Sequence, residues 1–498
     1  MRKTRMVLLA MWAAVLLSTS PVMAERVTPA EAGRVATNWI STILHSRGSW
    51  GDHEGAQVRE IEELWQGDRL LGYCCHIEPG GYIIVPIHKA MAPVKAFLPE
   101  GRIDLRAEAG VAGLIRDGLG YMVDFIETNY GPTGSVSAED LKLVLEVDYA
   151  EAWTRLEVEP GSFGQELESR GRDMSPLSVM GDILTTSAWH QGEPYHNFCP
   201  TPPGGDDCTE PHCTVGCVGL AGAQIMHYWN WPPRGESVPY DNLYDWAHMP
   251  DMVTIFSPLD EISAVAELCF EVARACTTNF CNGTDPASCS SGASIGPMMD
   301  AYHLYFRYHP GIFIIDRTDF DSDTWWNWVR GQIDGGWPAQ YTMTNHSMVL
   351  DGYWEESGSR FYHLNMGWYP GDNTWYAMNA IPGNDPSQES EHMVGNIRPL
   401  ALMSYPVSGT YSKPAFPYRY FDDGLISTGA VFESGQYLQF HREAFFVCAH
   451  PGPIVFNGSP AAGSTHIYNN GDPTRGIRID NGAITFNYGG QMRLHWNN

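Results

Sequence analysis

The chain has 498 residues, more than one hydrophobic core ordinarily serves, so two or three domains are expected. Against 30 Lys and Arg stand 58 Asp and Glu, a formal charge of −28, which repels phosphate backbones and anionic lipid and argues against binding nucleic acid or a membrane surface. With 43% hydrophobic and 12% aromatic residues, there is ample material for a core.

Met1 to Ala24 reads as a secretory signal: Arg2, Lys3 and Arg5 form a charged start, Met6 to Leu17 is apolar, and Val22-Met23-Ala24 is an A-x-A-like cleavage site. That apolar run is shorter than the ~20 residues of a spanning helix. No later stretch is apolar enough to span, so the mature protein is expected to be secreted, with no membrane span after signal removal. Residues 25–170 read as a separate domain. Pro29 to His45 is amphipathic and helical, Leu70 to Ile77 and Gly81 to Val85 are strands around Glu78-Pro79-Gly80, and Ala109 to Tyr130 is helical again. Glu157 to Met180, with Gly161, Gly164 and Gly171, reads as a linker.

Eleven cysteines are present, so setting one aside as a reactive thiol leaves material for up to five bridges in an exported chain. Cys199, Cys208 and Cys213 form one cluster, and Cys269, Cys276, Cys281 and Cys289 another, with bridges expected mostly within each. Cys74 and Cys75 are adjacent and would bridge each other only under strain.

Thr214 to Trp229 places Cys217 at the mouth of a helix. Val218, Ala221, Ile225 and Tyr228 make one apolar face, Gly219, Ala221, Gly222 and Ala223 admit a closely packed neighbour, and Pro232-Pro233 stops the run. A thiol there feels the positive end of the helix dipole, which favours the nucleophilic thiolate. The alternative reading makes Cys217 a small buried hydrophobe or half of a disulfide. A metal reading, with His212, Cys213 and Cys217 as ligands, lacks a matching CxxC pair. No cofactor is called for.

Farther along, Leu268 to Cys276, Ile295 to Phe306 and Trp325 to Ile333 read as helices. Asn345 to Tyr353 and Phe361 to Asn365 alternate like strands, with Glu355-Glu356-Ser357-Gly358-Ser359 as the turn between them. Pairing Tyr353 with Arg360 sets His346 opposite Gly367 and puts Asn365 diagonally on the same face. Asn365 is then expected to hold the His346 ring in one tautomer while the other ring nitrogen takes the Cys217 proton. Asn282, Asn345 and Asn457 each begin a glycosylation-type triplet. In residues 405–498, Gly429-Ala430…Gly435-Gln436…His441 is echoed by Gly482-Ala483…Gly490-Gln491…His495, which suggests a small all-β accessory domain with a weak repeat. A stability or export module and a surface or carbohydrate binder are both open for it.

These motifs carry a resemblance. Gly216-Cys217-Val218 with Ala223-Gln224-Ile225-Met226, then His346 to Tyr353, then His363-Leu364-Asn365-Met366-Gly367-Trp368 resemble the nucleophile helix, histidine strand and Asn-Trp segment of the streptopain-type cysteine peptidases. Trp189-His190-Gln191-Gly192-Glu193-Pro194-Tyr195 is similar to that family's entry motif, whose Gln lines the oxyanion hole. The likeness covers residues 175–400, and Gly81-Tyr82-Ile83-Ile84-Val85-Pro86 extends it weakly into 25–170. It implies an α+β chain whose papain-like catalytic domain, 175–400, follows an inhibitory prosegment, 25–170. It also implies a zymogen endopeptidase acting on protein and peptide substrates, with the prosegment as its intramolecular inhibitor. Cys217, His346, Gln191 and Asn365 are then catalytic, Trp368 binds substrate, and an apolar residue precedes the cleaved bond. Met366 stands where the family has Trp, Tyr369-Pro370 replaces Gly-Gly, and Gly219-Leu220 replaces Ala-Thr. A non-catalytic binding relative and a thiol acyltransferase or amidase are the alternatives.

Overall fold

The computed structural model describes residues 26–130, 148–170, 178–378 and 391–399, apart from short breaks at 109, 182, 204–207, 209, 233–234, 242–243, 283–288, 344–345, 357 and 369; beyond residue 400 it describes the backbone of the strands alone. The expected signal, 1–24, and the triplets beginning at Asn282 and Asn345 therefore lie wholly or partly outside the described residues.

Helix α1, Pro29–Arg47, starts on a Thr28–Glu31 capping box with Pro29 in its first turn and ends at Gly48, whose φ of 82° suits a residue without a Cβ. Its buried stripe of Val35, Ala36, Trp39, Ile40 and Ile43 lies against an antiparallel meander. The meander comprises β1 Gln57–Gln66, β2 Arg69–Glu78, β3 Tyr82–Pro86 and β4 Ala96–Leu98. Three helices follow: α2 Gly110–Tyr130, α3 Ala150–Leu156 and α4 Pro160–Arg170. The expected linker is thus helical over Pro160–Arg170, where Phe163 and Leu167 reach the core; Gly161 and Gly164 mark no break because burial of those two side chains outweighs the propensity cost.

Helix α5, Cys217–Trp229, begins after Gly216, whose φ of 87° and close approach to the Ser291 carbonyl leave no room for a side chain. Its small residues do what their size suggests. A Cβ on Gly219 would collide with Ala273 of α6, Leu259–Ala275, and one on Gly222 with Met298 of α7, Ile295–Leu304. After β6, Phe313–Asp316, and α8, Ser322–Asp334, come β7 Ala339–Met343, β8 His346–Glu356, β9 Ser359–Asn365, β10 Thr374–Ala377 and β11 His392–Gly395.

One antiparallel sheet runs β1-β2-β3-β4-β10-β9-β8-β7-β11-β6, with β5, Ser178–Met180, paired to β8. Residues 25–170 and the segment carrying Cys217 thus share a sheet, joined where β4 pairs with β10. Alternation splits β8 between two cores. Met348 and Leu350 belong to the core that also holds side chains of α1, α2 and α8, whereas Val349 belongs to the core built on α5, α6 and α7.

The hairpin register differs from the expected one. Glu355 pairs with Arg360 and Tyr353 with Tyr362, and a bulge at Asp351 sets Val349 opposite Asn365. Against the expected pairing, Asn365 is displaced by one residue, and a one-residue slip exchanges faces. Beyond residue 400, the described strands pair only in parallel, in sheets of five, four and two.

Candidate active site

Cys217 occupies the first position of α5, half-buried, with the backbone N–H groups of Ser347 and Val218 near enough to favour its thiolate. Gln340 on β7 clamps this end of the helix: its Nε2 donates to the Val218 carbonyl at 2.9 Å and to Ser347 Oγ at 2.9 Å, while Tyr302 donates to its Oε1. The approach to the helix is tied down as well. The Val215 N–H donates to the Gln191 carbonyl at 3.1 Å, the Thr214 N–H to the Cys289 carbonyl, and the Ser291 N–H to Thr214 Oγ1. Disulfides Cys208–Cys289 and Cys213–Cys281 staple the same two segments. Both bridges join the two cysteine clusters, where pairing within each was expected, because the strand-like stretch before α5 runs beside the stretch after α6. Cys217 is a free thiol, as are Cys74, Cys75, Cys199, Cys269 and Cys276.

His346 opens β8, one residue from the Ser347 N–H that favours the Cys217 thiolate. Its Nε2 donates to the Met366 carbonyl at 2.7 Å, and its ring stacks on Trp368 at 4.1 Å between centroids. Among the described residues the ring makes no hydrogen bond with Cys217 or Asn365. The expected Asn365–His346 pair is therefore not formed, as the shifted register requires. Asn365 is instead saturated by a buried network: Gln224 of α5 donates to its Oδ1 at 2.9 Å, and its Nδ2 donates to the Ser187 carbonyl at 2.6 Å. Thr185 links that network to Asp351, which pairs with His363 at 2.6 Å in the space the bulge opens. Gln191 is half-buried beside the segment leading to Cys217.

Gln340, Ser187 and Thr185 escaped the sequence reading, and Gln224 entered it only within a motif, with no role of its own. The available signal was a lone amide in an apolar run, in Ala339-Gln340-Tyr341 and Ala223-Gln224-Ile225. A buried amide in such a setting has to be hydrogen-bonded.

Burial pushes the Cys217 thiol up, and the N–H groups of Ser347 and Val218 only partly offset it, so the expected thiolate preference does not prevail in this conformation. Burial also takes the His346 imidazole down to about 4, against the opposing pull of the Met366 carbonyl. The pair is neutral at pH 7. His88, buried under the N-terminal meander, is likewise lowered to about 4. For a base with a depressed folded pKa, stability is complete above the ordinary value of 6.5 and is lost as the pH falls toward 4, because only the unfolded chain takes up the proton. Each of the two costs on the order of 3 kcal/mol by pH 4. Calorimetry should show the melting temperature of the intact chain falling by several degrees or more between about pH 7 and pH 4.5; an unchanged value would refute the burial account. Among the described residues no group of three or more His, Cys, Asp or Glu could hold a metal, and no helix is long and apolar enough to cross a membrane.

A helix that presents a cysteine to an antiparallel sheet whose strand begins with histidine defines a papain-like cysteine peptidase fold. Residues 189–376 match the Peptidase C10 family. Streptopain of Streptococcus pyogenes is 22% identical over 396 residues, covering 73% of this chain and 88% of that protein. The thiol protease/hemagglutinin PrtT of Porphyromonas gingivalis is 25% identical over 217 residues, 39% of this chain and 23% of that one. Prointerpain A of Prevotella intermedia, 18% identical, superposes with a TM-score of 0.51 over 68% of this chain and 98% of its own, which speaks to the fold. The chain is a cysteine-type peptidase, and its residues 189–376 are similar to the C10 peptidases.

Proposed function

We propose that the chain is a secreted zymogen endopeptidase. In this reading residues 1–24 direct export, 25–170 inhibit, 175–400 catalyse and 405–498 form an accessory domain. The observation that carries it is the placement of Cys217 at the start of α5 and His346 at the start of β8, two ends that Gln340 ties together through Val218 and Ser347. Once the His346 ring leaves the Met366 carbonyl, it can take the thiol proton. The thiolate then attacks the scissile carbonyl, a C–S bond forms, and the carbonyl electrons move to oxygen. The Cys217 N–H and the Gln191 side-chain amide receive that oxyanion. Collapse expels the amine, to which His346 returns the proton, and water hydrolyses the thioester with His346 as base. Asn365 positions the turn that carries Met366 and Trp368 through its bonds to Gln224 and Ser187, and Trp368 shields the imidazole and borders the substrate.

The inhibitory assignment is supported by the shared sheet. Trp39 of α1 packs on Trp354 of β8 at 5.5 Å and β4 pairs with β10, so residues 25–170 are built into the sheet whose strand β8 opens with His346. Cleavage between 157 and 180 would free them. Mass spectrometry of secreted protein, with and without a thiol alkylator, tests the whole reading. It should find a mature N-terminus beyond residue 156 and stoichiometric alkylation at Cys217 in the mature form; a mature form alkylated elsewhere would overturn it. Gln191→Ala should lower kcat by about 10²–10³ with little change in KM, measured on a fluorogenic peptide. An equal loss confined to KM would move Gln191 out of the oxyanion site.

A further inference from the structure

Strand β7 carries one side-chain amide. Gln340 stands between Ala339 and Tyr341, and all three residues are fully buried. Gln340 pairs with Val349 of β8, and Ser347 lies two residues back along that strand, so the Gln340 and Ser347 side chains are diagonal neighbours on one face. An amide in such a place has to spend its hydrogen bonds inside the protein, since leaving it unpaired costs about 1–3 kcal/mol.

Its partners leave the amide one orientation. The Val218 carbonyl can only accept, so Nε2 faces it at 2.9 Å, and the second hydrogen of Nε2 goes to Ser347 Oγ at 2.9 Å. Burial keeps the Tyr302 hydroxyl protonated, and that O–H donates to Oε1 at 3.1 Å. The three partners come from three elements: Val218 from the first turn of α5, Ser347 from the start of β8 and Tyr302 from α7. Val218 follows Cys217, and Ser347 follows His346. From a third strand, Gln340 thus holds the residue after each member of the pair.

Packing alone does not call for this amide. Gly219 and Gly222 already let α5 lie against Ala273 of α6 and Met298 of α7, and a methionine would fill the volume of the glutamine without any hydrogen bond. What the amide adds is direction. Van der Waals contact tolerates sliding and rotation of a helix on a sheet, whereas two hydrogen bonds from one planar group hold Val218 and Ser347 to within about half an ångström. Resting on the reading of Cys217 and His346 as the reacting groups, we propose that Gln340 is a positioning residue of the peptidase reaction, fixing the start of α5 on the start of β8 so that sulfur and imidazole meet at one separation during turnover. Gln340 hydrogen-bonds neither reacting group and acts through Val218 and Ser347. Thiolate and imidazolium stabilise each other only at close range, and a misplacement of about 1 Å can cost about 10²-fold in rate.

Gln340→Met removes the three hydrogen bonds at nearly constant volume. In matured chains, counted by titrating Cys217 with a labelled alkylator, kcat on a fluorogenic peptide should fall about 10- to 10²-fold, with KM within about threefold of wild type. The rate of Cys217 alkylation against pH should have its acid limb displaced upward by about one pH unit, because a loosened imidazolium stabilises the thiolate less. Tyr302→Phe, which removes the O–H that orients the amide from a helix bearing neither reacting group, should move both readouts the same way and by less. Should Gln340→Met fail to fold, Tyr302→Phe decides. A lowered melting temperature with kcat and the acid limb at their wild-type values marks a purely structural amide and overturns the proposal, as does a loss confined to KM. Alkylation of the mature wild type away from Cys217 removes the nucleophile reading and this proposal with it, whereas alkylation at Cys217 leaves that reading standing whichever way the variants fall.

Discussion

Replacing Cys217 with Ala should all but abolish peptide hydrolysis and self-processing together, with turnover falling roughly 10⁶-fold. The substitution removes one half-buried sulfur, and α5, its Gln340 clamp and both disulfides keep their partners. The variant should therefore melt within a few degrees of wild type. It should also still be cut at the normal position by added mature enzyme, which separates a lost nucleophile from a lost fold. An Ala variant that matures unaided would place the nucleophile elsewhere.

Phe97→Ala should act on restraint instead of chemistry. Phe97 lies in β4, at the seam where residues 25–170 join the peptidase sheet, opposite Trp375 of β10. Its ring stacks on Trp375 at 6.1 Å and meets Trp39, Trp354 and Phe361 edge-on, fully buried. Removing a ring so enclosed costs about 3–5 kcal/mol. Most of that loss falls on the contact between the two parts, because Trp39 comes from α1 and the other three rings from the peptidase strands. Maturation should then run about 10² times faster or more, since each 1.4 kcal/mol is tenfold. Timed gels of secreted chains would measure it, with Phe97→Leu as the milder control. If the melting temperature drops while maturation keeps its wild-type rate, the seam is not what restrains the enzyme.

Local patterns in the chain were enough for some of this. The amphipathic run after Gly216 determined α5 and put a cysteine at its first turn, because period and cap are properties of a dozen consecutive residues. The capping box at Thr28–Glu31 and the alternation around Glu78-Pro79-Gly80 likewise determined α1, β2 and β3. Existence of the β8–β9 hairpin was legible, but its register was not. A bulge at Asp351 has no local signature; it appears where a buried carboxylate finds His363 and Thr185. That single extra residue decides which face Asn365 shares, and so whether it meets the imidazole or the amide of Gln224.

Other features belong to tertiary structure outright. The β4–β10 pairing joins positions nearly three hundred residues apart, and both bridges span two clusters that look self-sufficient in sequence. The neutral state of Cys217 and His346 is also a matter of surroundings: a helix N-terminus favours thiolate, yet burial opposes both charges and the Met366 carbonyl engages the imidazole. The sequence by itself determined which elements bear the candidate residues, since those follow from side-chain type and short-range period. Only the tertiary structure decided how they are paired, covered and charged, because register, desolvation and long-range contact depend on neighbours that no short stretch contains.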